Sequence, residues 1–142
     1  MAALPSARER LKFRDFNLRR AASGRCEAVV VLEYDPSLRY EGRADEIGSE
    51  AGELRCSAQA ALHAITQAAE QRLSFELLGV KAVRAFDATV VIVSLTSRGE
   101  GQARRLVGSY LAEDHSPRGA ALAVLNATNR VLGNLFVREG PK

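Results

Sequence analysis

Residues 55–64 read RCSAQAALHA and residues 118–127 read RGAALAVLNA, so an alanine-rich segment occurs twice in the chain. Three further blocks correspond in the same order: 16–20 (FNLRR) with 80–84 (VKAVR), 27–32 (EAVVVL) with 88–93 (ATVVIV), and 39–42 (RYEG) with 105–108 (RLVG). The spacing changes only between blocks, where loops tolerate insertions. The sequence therefore predicts an internal duplication, with any site or interface placed where the copies meet.

Each copy predicts three strands followed by a helix. The β-branched runs and turn residues indicate strands at 11–20, 26–34, 38–44, 73–84, 88–96 and 102–112. Ser49 is a plausible N-cap for a helix that extends to Arg72, and the segment 113–117 opens a second helix. The predicted repeats are 11–72 and 75–135.

Apolar residues recur at helical spacing in both helices, which predicts one buried stripe on each. In the first helix the stripe consists of Leu54, Ala58, Ala61, Leu62, Ile65 and Ala69; in the second, of Ala120, Ala121, Val124, Leu125, Thr128 and Leu132. The expected fold is α+β, with two pseudo-symmetric β-β-β-α units and both helices on one face of an antiparallel sheet. Val29, Val31, Val91 and Val93 are expected to leave the opposite face partly apolar, and a homodimer would cover it.

Composition is that of one soluble domain. Of the 142 residues, 46% are hydrophobic and 26% charged, which predicts a single domain at 11–137, a flexible start at 1–10 and a tail at 138–142. We expect no membrane segment, no metal and no cofactor, because neither an apolar run nor metal-ligand spacing is present. Cys26 and Cys56 are expected to be reduced thiols of a cytoplasmic protein.

The net charge is +3, and basic residues cluster before residue 26. Such clustering can mark a nucleic-acid-binding arm. The alternative is a strand whose outward positions are cationic, which the repeat favours because Phe16 and Leu18 correspond to Val80 and Ala82. Nucleic-acid binding is therefore the weaker alternative.

The sequence contains no phosphate loop and no dinucleotide fingerprint. His63 corresponds to Asn126 in the repeat, which indicates a polar edge position, and His115 fits a helix start; we expect no catalytic residue. The better candidates are the segments that enter the helices, because a helix N-terminus can seat a carboxylate or phosphate and small residues admit a ligand. These candidates for ligand binding are Gly48, Ser49, Glu50, Ala51, Gly108, Ser109, Tyr110, Ala112, Asp114 and Ser116; ordinary capping would need the same residues.

The stretch from Arg104 to Leu132 carries a family resemblance, with Asn126, Ala127, Asn129 and Arg130 near the end of its alanine-rich helix. It resembles the C-terminal allosteric domain of 2-isopropylmalate synthase and citramalate synthase, as do the preceding strands. The resemblance implies a pseudo-symmetric, dimerising regulatory domain that binds a branched-chain amino acid near the loops entering the helices. It implies no synthase activity, since the catalytic barrel of those enzymes is missing from this sequence.

The sequence departs from that family in both loops. Gly48-Ser-Glu-Ala-Gly52 replaces a Gly-x-Gly-Pro motif, and Tyr110 stands where glycine is common. We therefore expect a non-catalytic, homodimeric ligand-sensing domain whose ligand is an amino acid or a related keto or hydroxy acid other than leucine, acting with a partner enzyme. The alternative is an interaction module that has the same fold and no ligand.

Overall fold

The computed structural model describes residues 11–35, 37–70, 72–99, 101–113 and 116–139, apart from the side chains of Asp35, Arg130 and residues 132–139. The first copy consists of β1 (Lys12–Arg20), β2 (Arg25–Asp35), β3 (Leu38–Ile47) and α1 (Glu50–Ala68). The second consists of β4 (Ser74–Ala85), β5 (Ala88–Gly99), β6 (Gln102–Ala112) and α2 (Ser116–Glu139). The predicted order of elements is confirmed.

The strands form two antiparallel three-stranded sheets, ordered β1-β2-β3 and β4-β5-β6. Tight hairpins join neighbouring strands; between β4 and β5 the turn residues Phe86 and Asp87 have φ of 53° and 60°, as a two-residue hairpin with matching twist requires. α1 packs on β2 and β3, α2 packs on β5 and β6, and the helices contact each other. The α+β class with two β-β-β-α units is confirmed, with two three-stranded sheets in place of the one antiparallel sheet expected.

The strand registers show the duplication directly. In the first sheet Phe16, Val30 and Gly42 form one cross-strand row. In the second sheet their counterparts Val80, Val93 and Gly108 form the same row, so the predicted match of 27–32 with 88–93 is two residues out of register. The register also shifts at equivalent places, because Arg14 is the extra residue of β1 and Leu78 the extra residue of β4. Matching bulges and matching rows let every strand position of one unit be compared with the other.

The predicted stripes lie in the core. All six stripe residues of α1 are buried, and so are the five of α2 whose side chains are described; Leu132 lies outside that group. The predicted end of α1 at Arg72 is wrong, because the helix ends at Ala68 and Glu70 adopts φ of 56°. A residue in the left-handed conformation just past the last turn terminates a helix. Here that residue is a glutamate and not the usual glycine, so the sequence does not indicate the helix end.

One face of each central strand is buried. The prediction that Val91 and Val93 of β5 lie on the outer face is wrong. Val29 and Val31 point outward as expected, but Val91 and Val93 are fully buried against α2. The counterparts of Val29 and Val31 in the register are Ile92 and Ser94. The offset from β2 to β5 is an odd number, 93 − 30 = 63, so residues of equal parity in these two strands face opposite sides of their sheets.

Some predictions concern residues that the structure does not describe. The predicted flexible start, 1–10, lies outside the described residues. Of the predicted tail, 138–142, residues 138 and 139 continue α2 and the rest lies outside.

Candidate interaction surface

The outer face of the first sheet, which points away from α1, is covered by ion pairs. Arginine nitrogens lie 2.8–3.3 Å from carboxylate oxygens in the pairs Arg14–Glu33, Arg39–Glu33, Arg19–Glu27, Arg43–Glu41 and Arg25–Asp45. Charges of both signs alternate across all three strands, and most of these side chains are well exposed. This face has the chemistry of a hydrated surface, because exposed pairs of this kind gain little by leaving water.

The outer face of the second sheet is apolar over the part nearest the β4–β5 turn, whereas its other end carries Arg105 and the Glu76–Arg98 ion pair, in which nitrogen and oxygen lie 3.9 Å apart. Val107 is 64% exposed, Leu111 52%, Leu78 43% and Ile92 37%. Val83 and Val90 lie half-buried in the same rows. These six residues define the apolar face of the second sheet: Leu78, Val83, Val90, Ile92, Val107 and Leu111.

At equivalent positions of the two sheets, the second sheet has apolar residues where the first has charged ones. The row Arg19, Glu27 and Asp45 of the first sheet becomes Val83, Val90 and Leu111 in the second. Arg14 at the bulge becomes Leu78, and Glu41 becomes Val107. Because the backbone plan is the same in both units, the fold itself does not require apolar residues at these outward positions.

Few polar groups interrupt the apolar face. Lys81 and Ser109 flank Ile92 in its row, and Arg105 donates from Nε to the Ser94 hydroxyl at 2.9 Å near one end. Among the described outward residues between Gly79 and Val83 and between Val107 and Leu111 there is no carboxylate. A contiguous exposed apolar patch on a soluble domain marks an interaction surface.

At the start of α1, groups of the predicted ligand segment already form hydrogen bonds within the chain. The Ser49 hydroxyl accepts a hydrogen bond from the Gly52 amide at 2.9 Å, and the Gly48 amide donates to the Gly24 carbonyl at 2.8 Å. Glu50 and Glu53 place carboxylates in the first turn, and Glu53 pairs with Arg20 at 2.9 Å. These carboxylates occupy the positive end of the helix dipole that an anionic ligand would use.

The start of α2 differs, because its first turn contains no carboxylate. Half-buried Ser116 begins the helix, and the Arg118 guanidinium carbon lies 4.9 Å from the centre of the Phe13 ring. Ala112 is buried, and a Cβ atom on Gly119 would lie 3.1 Å from the Ala112 Cβ. Asp114 lies outside the described residues.

The start of α2 is not lined by Gly108, Ser109 and Tyr110 together. Gly108 lies beneath α2, where a Cβ atom would come 2.6 Å from the Ala127 amide nitrogen. The prediction that Gly108 gives a ligand access is therefore wrong: it permits close helix–sheet packing. The next residue, Ser109, points to the outer face, whereas Tyr110 lies on the helix side near Gly119. Exposed Ala51 lies at the other helix.

The two predicted ligand segments lie at opposite ends of β1. Glu53 at the start of α1 pairs with Arg20 at the end of the strand, and Arg118 at the start of α2 contacts Phe13 at its beginning. At about 3.3 Å per residue, seven residues separate these ends by roughly 20 Å. The described parts of the two segments therefore belong to separate places on the molecule.

His63 and its counterpart Asn126 each anchor a helix to its own sheet. His63 Nδ1 lies 2.6 Å from the Arg43 carbonyl oxygen, so this nitrogen carries the proton and donates. In the second unit Asn126 Nδ2 donates to the Ser109 carbonyl at 2.6 Å. Arg43 and Ser109 correspond in the registers, so the same hydrogen bond from helix to strand occurs in both units. This agrees with the polar edge position predicted for His63 and Asn126.

Four arginines near the start of the described chain form ion pairs. Arg14, Arg19, Arg20 and Arg25 each contact a carboxylate within 3.3 Å. Such interleaved charges present no continuous cationic stripe of the kind that follows a phosphate backbone. This part of the chain therefore fits the cationic strand interpretation.

Within the described residues, no group of three or more histidine, cysteine, aspartate or glutamate side chains could hold a metal ion. No described helix is both long and apolar enough to cross a membrane.

Comparisons with known proteins give no match, either to a family model or to a curated protein. What the chain shows by itself is an α+β domain of two similar units, with one ion-paired and one partly apolar outer sheet face. The resemblance to the allosteric domain of 2-isopropylmalate synthase stays a prediction.

Proposed function

We propose that this chain is a non-catalytic interaction module that forms a homodimer through the apolar face of the second sheet, and that it acts by this assembly. The observation that supports the proposal is the replacement of charged by apolar residues at equivalent outward positions. A cytoplasmic location belongs to the same proposal, and the free thiols Cys26 and Cys56 suit a reducing compartment.

A second copy is the partner whose chemistry fits. Among the described residues of the apolar rows Lys81 is the one charged group, so a partner with the same surface leaves few charges to desolvate. Two such faces can pack as a β-sandwich, with side chains meeting between sheets about 10 Å apart. A two-fold axis pairs the patch with itself and closes the assembly at two chains.

The outer sheet face is large enough for a dimer interface that includes the apolar face. Its strands contain 12, 12 and 11 residues, so at about 3.4 Å per residue and 4.8 Å between strands the whole outer face measures roughly 40 Å by 14 Å, or about 560 Å² in projection. The apolar rows, from Val83–Val90–Leu111 to Gly79–Ser94–Val107, span five residues along each strand and therefore about 17 Å by 14 Å. They supply the apolar part of an interface whose polar part comes from the remainder of the face.

The test is the mass in solution. Sedimentation equilibrium at micromolar concentration should give twice the chain mass for the native protein. The double variant Val107→Glu with Leu111→Asp, which installs the counterparts Glu41 and Asp45, should sediment as a monomer with an unchanged circular dichroism spectrum. Ile47, which is 65% exposed on the first sheet, supplies the control: Ile47→Glu should remain dimeric.

Two results would contradict the proposal. A native protein with the mass of one chain would exclude the dimer. A double variant that still dimerises would place the interface elsewhere and leave the apolar face without its proposed role.

A second candidate function is the sensing of a small carboxylate at the start of α2. The observation that favours this end over the start of α1 is a first turn with Arg118 and no carboxylate. Amide groups there can hold an anion with help from the helix dipole. Amino acids and related keto or hydroxy acids are the ligands we propose, and thermal shifts test them as described below.

A further inference from the structure

The two cysteines of the chain meet inside the first unit. Cys26 lies on β2 and Cys56 on α1, both are fully buried, and their Sγ atoms are 3.5 Å apart. This separation allows a hydrogen bond in which either thiol donates. It also means that the sulfurs need to approach by only about 1.5 Å to reach the bond length of a disulfide, which is about 2.0 Å.

The pair lies beneath the junction where β3 ends and α1 begins. The Cys26 sulfur is 3.8 Å from the Ile47 carbonyl oxygen, and the Cys56 sulfur is 3.6 Å from that of Glu53. Above them Ile47 and Ser49 are exposed. The first turn of a helix opens more easily than its middle, so fraying at this junction gives small reagents a path to both sulfurs.

The fold does not require thiols at this place. In the second unit the corresponding residues are Thr89 and Gly119, as the registers and the helix repeat define them. There a Cβ atom on Gly119 would already meet the Val91 side chain at 3.2 Å. Small residues of other types therefore fill the same helix–sheet contact, and the paired thiols are a property of the first unit alone.

We propose that Cys26 and Cys56 form a redox pair that a low-molecular-weight disulfide, such as oxidised glutathione, converts into an internal disulfide linking β2 to α1. One cysteine thiolate attacks a sulfur of the small disulfide and releases the first glutathione, which leaves a mixed disulfide on the protein. The other cysteine then loses its proton and attacks the protein sulfur of that mixed disulfide, which releases the second glutathione. Two protein thiols lose two electrons, the small disulfide gains them, and the two protons end on the released glutathione thiols.

The local environment makes this exchange slow and selective. Burial raises the pKa of the Cys56 thiol to about 12, helped by the hydrogen bond with Cys26. A thiol that stays protonated is a poor nucleophile, so reaction has to wait until the start of α1 opens. After opening, the neighbouring sulfur resolves the mixed disulfide, and glutathione does not remain attached.

The bond would fasten the start of α1 to the sheet. It closes a loop from residue 26 to residue 56 that contains β3 and most of β2. Such a cross-link restricts the unfolded chain. The oxidised protein should therefore melt on the order of 10 °C higher than the reduced protein. The sulfurs lie on the inner side of the sheet, so oxidation should leave the mass measured for the assembly unchanged.

The experiment equilibrates the full chain with reduced and oxidised glutathione, starting from the reduced protein and separately from the oxidised protein. Moderate urea accelerates opening, and free thiols are trapped by alkylation before intact-mass measurement. We expect a loss of about 2 Da with no glutathione adduct at equilibrium, and the rise in melting temperature should disappear with dithiothreitol.

Variants separate this outcome from others. Cys26→Ala and Cys56→Ala each lack a resolving sulfur, so each should end as a mixed disulfide about 305 Da heavier or stay unmodified. Three results would overturn the proposal: a persistent glutathione adduct on the native protein, a disulfide between two chains on a non-reducing gel, or an oxidised protein that melts below the reduced one. The dimer and the redox pair can fail independently, since mass in solution reports the first and alkylation the second.

Discussion

Gly42 on β3 lies so close to Ala60 on α1 that a Cβ atom on the glycine would overlap the Ala60 carbonyl oxygen and come 2.5 Å from the Ala64 amide nitrogen. Gly108 has the same relationship to α2, where the obstacle is the carbonyl of Ala123. Both helices therefore rest on backbone, which explains why the segments facing the sheets are rich in alanine.

Replacing either glycine by alanine should destabilise the protein. A methyl group here meets helix backbone and not the end of a flexible side chain, so the helix has to move, and overpacking of this kind costs about 1–3 kcal/mol. Gly79→Ala is the matched control, because nothing lies within 4 Å of a Cβ atom at that strand position. Urea denaturation measures the free energy of unfolding of all three variants; equal stability of Gly42→Ala and Gly79→Ala would refute the close contact.

The charges of the first sheet should prevent association through its outer face. Glu27→Val together with Asp45→Leu gives one row of that face two of the three residues found in the second sheet. A chain with two apolar faces can associate at both, which generates open-ended assemblies. Light scattering should therefore show growth beyond the dimer with rising concentration. Glu27→Gln with Asp45→Asn is the control: it removes the same charges without adding apolar surface, and growth in that variant too would attribute the effect to charge alone.

The paired helix anchors should contribute similar stability. His63→Ala removes the hydrogen bond to the Arg43 carbonyl, and Asn126→Ala removes the bond to the Ser109 carbonyl. Each loss should lower the free energy of unfolding by about 0.5–1.5 kcal/mol. His63→Asn, which imports the residue of the second unit, should retain more stability than His63→Ala. If the native protein and His63→Ala unfold alike, the contact to Arg43 contributes nothing.

Stability should fall at alkaline pH because of Cys56. Its thiol has a pKa of about 12 when folded, against 9.0 ordinarily. The folded thiol keeps its proton while the unfolded thiol loses it, so this contribution is complete below about pH 9 and declines as the pH rises toward 12, by at most about 1.4 kcal/mol per pH unit. Urea titrations under reducing conditions should show a steeper decline for the native protein than for Cys56→Ala. Parallel curves would contradict the raised pKa.

The sequence predicted the elements well, because strand and helix periodicities and turn residues are local signals. The blocks 39–42 and 105–108 matched for a physical reason, since Gly42 and Gly108 both lie under a helix. The outward faces were harder to predict. They depend on the cross-strand register, which the bulges at Arg14 and Leu78 set. No local sequence pattern predicts the positions of these bulges. The exchange of Asp45 for Leu111 becomes visible only when the registers of both sheets are compared.

Carboxylate sensing should take place at the start of α2. A ligand that binds only the folded protein stabilises it by about 2.7 kcal/mol at a hundredfold excess over its Kd. Branched-chain amino acids and their keto and hydroxy acids should therefore raise the melting temperature at millimolar concentration. Arg118→Gln should abolish that rise, because it removes the cation in the first turn.

Arg20→Gln is the matched control at the other helix start, where Glu53 already pairs with the arginine. It should leave the ligand-induced shift intact even if it lowers the melting temperature of the free protein. A shift lost in Arg20→Gln and kept in Arg118→Gln would move the site to α1, while no shift with any of these acids would leave dimerisation as the function of the domain. Tyr110 is the reason to expect a ligand other than leucine: its ring lies beside Gly119 near the helix start, in space that a glycine would leave open.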